Sequence, residues 1–136
     1  MSSIYSEIIL DYYRYPRNKG HLPDPQIKAK DSNPLCGDVV EIQLELNSDN
    51  NVKDVRFNGQ GCAISQASAS MLTEMVKGKS LDEVRKISKE DIFSLIGGQL
   101  SAARVKCALL SLKVLKTGLY TYLGALDGSK EELASL

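Results

Sequence analysis

A chain of 136 residues is the length of one domain, and at that size about two-thirds of the unfolded surface can be buried, so no disulfide or metal is required merely to hold a core. Seventeen basic residues balance seventeen acidic ones, which argues against nucleic acid or an anionic membrane as a partner. There is no apolar run near the ~20 residues of a membrane span, no basic stretch before an apolar core at the start, and an odd number of cysteines, three; the expectation is a cytoplasmic protein with reduced thiols.

Residues 3–13 read as a helix. Tyr5, Ile8, Ile9 and Tyr12 fall at i, i+3, i+4 and i+7, and Pro16 stops it. Its tyrosines could make a partner surface, but packing on a sheet is the plainer expectation. Residues 16–25 form a loop by composition. The single histidine, His21, sits there, either as a solvated side chain or as a spare ligand or acid/base group.

A short weak strand is expected at 26–30 and a clear one at 39–46. In the second, Val40, Ile42, Leu44 and Leu46 alternate with Glu41, Gln43 and Glu45, the mark of an antiparallel strand with one solvated face. Cys36 and Asp38 share the parity of Val40, so an extended chain aims them at the core side. Residues 47–51 form a hairpin loop, and 52–57 return as a strand.

Then comes Gly59-Gln60-Gly61-Cys62, a glycine turn that places a thiol at the start of a helix over 63–76. Helix N-termini carry unpaired N–H groups and partial positive charge. Ile64, Met71, Leu72 and Met75 mark the apolar side of that helix, and its Ala- and Ser-rich first turns allow close approach of something large. Residues 80–87 and 88–96 read as two short helices, each opened by a Ser N-cap. After Gly97-Gly98 the longest helix spans 101–123, with a stripe of Ala108, Leu112, Leu115, Leu119 and Tyr122. Arg104, Cys107 and Ser111 lie along one flank of it. Residues 125–136 are expected to fray. The whole, 1–136, is one domain.

Three cysteines can be three unrelated buried thiols. Alternatively Cys36, Asp38, Cys62 and Cys107 converge, and three thiolates with one carboxylate can fill a tetrahedral site for zinc or hold one face of an iron–sulfur cluster. There is no C-x-x-C, so the fold would have to assemble such a site from a sheet end, a turn and a helix. The carboxylate, harder than its partners, is the ligand expected to exchange. A Cys–His nucleophile would depend on a loop histidine with no evident orienting partner, and no phosphate-binding or dinucleotide fingerprint occurs.

Pro34-Leu35-Cys36-Gly37-Asp38, the run from Phe57 through Gly61-Cys62 to Ser68, and Arg104-Val105-Lys106-Cys107-Ala108 resemble the three cysteine blocks of the U-type iron–sulfur cluster assembly proteins, the family of IscU, SufU and the NifU N-terminal domain. The Tyr5–Tyr13 stretch with Pro16-Arg17-Asn18 is similar to the family's opening, and the likeness runs from about residue 5 to residue 124. The resemblance implies an α+β, SufE/NifU-like fold: a small antiparallel sheet of about three strands with helices on one face. It also implies a role in iron–sulfur biogenesis. Persulfide sulfur would come from a cysteine desulfurase to one of Cys36, Cys62 and Cys107. These cysteines and Asp38 would hold zinc or a transient [2Fe–2S] cluster, passed on to downstream acceptor proteins.

The two branches of the family leave their marks differently. IscU-type chains resemble one another in a His before the third cysteine and a Leu-Pro-Pro-Val-Lys motif for an Hsp70-type chaperone. Here Lys106 and Leu100-Ser101-Ala102-Ala103 stand instead. Arg104 and Lys106 look SufU-like, whereas the short interval from Ala63 to Lys106 looks IscU-like. A regular helix would aim Lys106 about 100° away from Cys107, as a solvated lysine; an irregular first turn would let its ammonium reach the site. The readings are therefore a zinc-dependent sulfurtransferase component, a non-enzymatic scaffold, or a structural zinc site in an interaction module.

Overall fold

The structure is a computed structural model that describes residues 3–34, 37–97, 100–124, 133 and 136, with side chains from Glu7 onward. Helix α1 (Ser3–Arg14) is followed by strands β1 (Ile27–Asn33), β2 (Asp38–Leu46) and β3 (Val52–Gln60). Helices α2 (Ala63–Val76), α3 (Leu81–Arg85), α4 (Lys89–Ile96) and α5 (Ala102–Leu123) complete it. The strands form one antiparallel sheet in the order β1-β2-β3, the α+β architecture expected.

The alternating pattern of β2 works as its chemistry dictates. Val40, Ile42 and Leu44 are buried against α2 and α5, and burying an aliphatic side chain of this size stabilises by about 1.5–3 kcal/mol. The opposite face is less open than expected. Gln43 is buried, because its Oε1 accepts the Leu22 N–H at 2.7 Å, and the 16–25 loop thereby lies over this face. The same loop covers one sheet edge: Phe57 N–H donates to Asn18 O and Gly20 N–H to Phe57 O, both at 2.9 Å.

β3 runs three residues beyond its expected end, to Gln60. Val39 pairs with Gln60 and Val40 with Gly59, and a Cβ on Gly59 would strike the Val39 carbonyl. Glycine therefore lets the ladder continue to the turn, and this register sets Asp38 beside Gly61. Val52 and Val55 are three apart yet both buried, since a bulge opposite Glu45 and Leu46 supplies the extra residue.

Helix α2 is buried on nearly every side, residues 65–73 included, not along one stripe. Its small side chains admit α5 on one flank and α1 on the other, and its hydroxyls make bonds outside the helix: Ser68 Oγ donates to Ala108 O of α5 at 2.7 Å, and Ser70 Oγ accepts the N–H of Arg17, in the loop after α1, at 2.8 Å. Helix α1 thus packs on α2, not on the sheet, and Tyr13 and Tyr15 are exposed. The expected N-caps Ser80 and Ser88 are present, and Ser101 caps α5 in the same way; each accepts an N–H three residues on.

Tyr122 leaves the stripe of α5 and is exposed, while Tyr120 is buried. The last turn of the helix lies at the open edge of β1, where Tyr122 lines a groove with residues 26–30. Of the tail expected to fray, residues 125–132, 134 and 135 lie outside the described residues; Leu136 is buried. No helix among the described residues is long and apolar enough to cross a membrane.

Candidate metal centre

Three elements meet at one corner of the sheet. Asp38 opens β2, Cys62 is the N-cap of α2, and Cys107 lies in the second turn of α5. One ligand atom from each can be chosen so that all lie within 4.8 Å of one another. Asp38 and Cys107 are buried, and Cys62 is half-buried. Cys36 lies outside the described residues.

The turn explains how a carboxylate comes to sit among sulfurs. Gly61 has φ +140°, and a Cβ there would overlap Asp38 Oδ1 and come within 2.8 Å of its Cα. The missing side chain makes room for the carboxylate. Asp38 Oδ1 then accepts the Cys62 N–H at 2.7 Å, and its Oδ2 lies 3.4 Å from Cys62 Sγ. A helix N-terminus offers its unpaired N–H groups to a thiol placed there. The N–H of Cys62 goes instead to the carboxylate, and sulfur receives one from the next turn: Ser65 N–H points at Cys62 Sγ at 3.4 Å. Cys62 is thus both a helix cap and a candidate ligand.

These residues fit a tetrahedral metal ion. Zinc bonds of about 2.3 Å to sulfur and 2.0–2.2 Å to oxygen give a sulfur–oxygen edge of about 3.6 Å, close to the 3.4 Å between Cys62 Sγ and Asp38 Oδ2. Among the described residues the donor set is two sulfurs and one oxygen.

Arg104 and Lys106 part company. α5 is regular from Ala102. Arg104, one turn before Cys107, is exposed, and its guanidinium is held above its usual pKa by Cys62 first and by Cys107 second, against a smaller opposing effect of desolvation. It therefore stands at the mouth of the site beside both sulfurs. The Lys106 ammonium donates to the Leu136 carbonyl oxygen at 3.1 Å, in a groove with Asn33, Pro34 and Leu110. His21 lies on the other face of the sheet, 2.8 Å from the Asn58 amide and 3.9 Å from Glu41, and is not gathered with Asp38, Cys62 and Cys107. Sequence reasoning missed Gln66, a buried amide behind the site; its signal was a long polar side chain in a helix otherwise filled with small and apolar residues.

Residues 4–127 match the model of the NifU-like N terminal domain. The zinc-dependent sulfurtransferase SufU of Bacillus subtilis is 38% identical over 135 aligned positions, covering 87% of this chain and 90% of that protein. The iron–sulfur cluster assembly scaffold protein IscU of Aquifex aeolicus is 40% identical over 124 positions, covering 90% of this chain and 78% of the relative. Among solved structures, FiSufU of Fervidobacterium islandicum AW-1, whose name assigns it to the SUF system, superposes with a TM-score of 0.74 at 31% identity, over 85% of this chain and 96% of the other.

Proposed function

This chain belongs to the NifU-like N-terminal domain family, and on that premise we propose that it serves iron–sulfur cluster assembly by accepting persulfide sulfur from a cysteine desulfurase at a zinc site of Cys36, Asp38, Cys62 and Cys107. The observation that carries this reading is the convergence of Asp38, Cys62 and Cys107 within 4.8 Å, on a scaffold whose Bacillus relative is named a zinc-dependent sulfurtransferase. Zinc bound there would keep the sulfurs as thiolates.

The transfer balances simply. A thiolate of this chain attacks the outer sulfur of the desulfurase persulfide, the S–S bond breaks, and the desulfurase thiolate leaves. Asp38 is suited to release a ligand position without losing its place, because its Oδ1 is anchored on the Cys62 N–H. Arg104, exposed beside both sulfurs, supplies positive charge to an approaching sulfur anion. Metal analysis of anaerobically purified protein, run beside a desulfurase assay with and without zinc, tests this. About one zinc per chain and zinc-dependent stimulation are expected; stimulation that survives zinc removal would show the mechanism to be wrong.

A second reading is a scaffold on which a labile [2Fe–2S] cluster is built and passed on. The Aquifex relative supports it, being named an iron–sulfur cluster assembly scaffold protein and 40% identical over 90% of this chain. Anaerobic reconstitution with iron and sulfide should then produce visible charge-transfer bands.

A further inference from the structure

Gln66 is a polar side chain in an expensive place. It is buried, 6% exposed, one turn beyond Cys62 on α2. Its Nε2 donates to Ser65 Oγ at 3.0 Å and toward the Val39 carbonyl at 3.4 Å. Ser65 Oγ in turn donates to the Cys62 carbonyl at 3.1 Å. The amide cannot be turned over, because the Val39 carbonyl only accepts and the nitrogen must face it. Gln66 Oε1 is left buried with no hydrogen-bond partner among the described residues. An orphaned buried acceptor is destabilising, and an apolar side chain of the same size would pack here without that cost.

What the amide joins gives it a purpose. Val39 follows Asp38, and Ser65 caps back onto Cys62 through both its N–H and its hydroxyl. The amide therefore spans the start of β2, which carries the carboxylate, and the first turn of α2, which carries the thiol. We infer that Gln66 is a positioning residue of the metal centre, a strut that holds the Asp38 and Cys62 backbones at one separation. Groups that orient ligands from behind in this way typically govern 10–100-fold of metal affinity. The inference rests on the metal-site reading given above.

The test compares Gln66→Met, of similar volume but without hydrogen bonds, with the wild-type chain. Zinc affinity is measured by competition with a chromophoric chelator, and the cobalt(II)-substituted protein gives the ligand-field absorption bands. Gln66→Met is expected to lower zinc affinity at least tenfold and shift the cobalt bands, while its melting temperature stays level or rises. Gln43→Met is the control, because Gln43 is equally buried but holds the Leu22 N–H on the far face; it should leave affinity and spectrum unchanged. Should Gln66→Met not fold, Ser65→Ala removes the middle link under the same criteria. Affinity within threefold of wild type and an unaltered cobalt spectrum would overturn this inference alone. A wild-type protein that binds neither ion would overturn the metal-site reading and this one with it.

Discussion

Replacing Gly61 by Ala puts the assembly of the site to a quantitative test. At φ +140° a residue with a Cβ is strained, at a cost of about 1–3 kcal/mol. The new methyl would also overlap Asp38 Oδ1 and lie 2.9 Å from its Cγ, so the carboxylate must move. Its bond from the Cys62 N–H, 2.7 Å long, would be lost, and bonds to charged acceptors are worth about 1.5–3 kcal/mol. Together these give about 2.5–6 kcal/mol, a large part of the 5–15 kcal/mol typical of a domain. Urea unfolding of the apoprotein reads the loss, with the midpoint falling by about 2 M for a slope of about 2 kcal/mol/M. Gly78→Ala separates strain from collision, since Gly78 has φ +88° and an added Cβ there meets nothing within 4 Å. Gly61→Ala should cost about 1.5–3 kcal/mol more than Gly78→Ala and weaken zinc binding as well. Equal costs with unchanged zinc affinity would refute the argument that this glycine exists to admit the carboxylate.

Asp38→Ala should lengthen the lifetime of a reconstituted [2Fe–2S] cluster, followed by decay of its visible bands, and lower apoprotein stability by about 1–3 kcal/mol because the Cys62 N–H loses its acceptor; a shorter-lived cluster would contradict the exchangeable role of this ligand. Arg104→Ala should reduce desulfurase stimulation about tenfold, whereas Lys106→Ala, whose ammonium is on Leu136, should leave it nearly unchanged; equal losses would refute the division between them. Ser80→Ala should destabilise by about 1 kcal/mol, since Ser80 and Glu83 satisfy each other in a capping box. The Ser80 N–H, and then its hydroxyl, hold the Glu83 pKa below its ordinary 4.5. Asp54 is also held low: burial raises it, but the Val55 N–H, Arg56 and Lys77 outweigh that. Both carboxylates thus stabilise above their unfolded pKa values, and that contribution is lost as pH falls through the folded ones. Urea midpoints should drop below about pH 4.5, less steeply in Glu83→Gln, and a profile flat to pH 3 would count against it.

What the sequence determined by itself is local. Alternation in β2, the Ser caps of α3 and α4, and the Gly-Gln-Gly-Cys junction each follow from neighbours within a few residues, where periodicity and backbone preference suffice. The cysteine blocks carried the family as well. Tertiary structure decided the rest. That α1 lies on α2, leaving Tyr13 and Tyr15 exposed, follows from which helix offers small side chains to it. Whether Arg104 or Lys106 faces the sulfurs depends on α5 being regular from Ala102. The carboxylate is gathered with two thiols because the register Val39–Gln60 sets it against a residue with no Cβ. Such a register is a property of two strands together, fixed by packing across the sheet, and no single stretch of chain contains it.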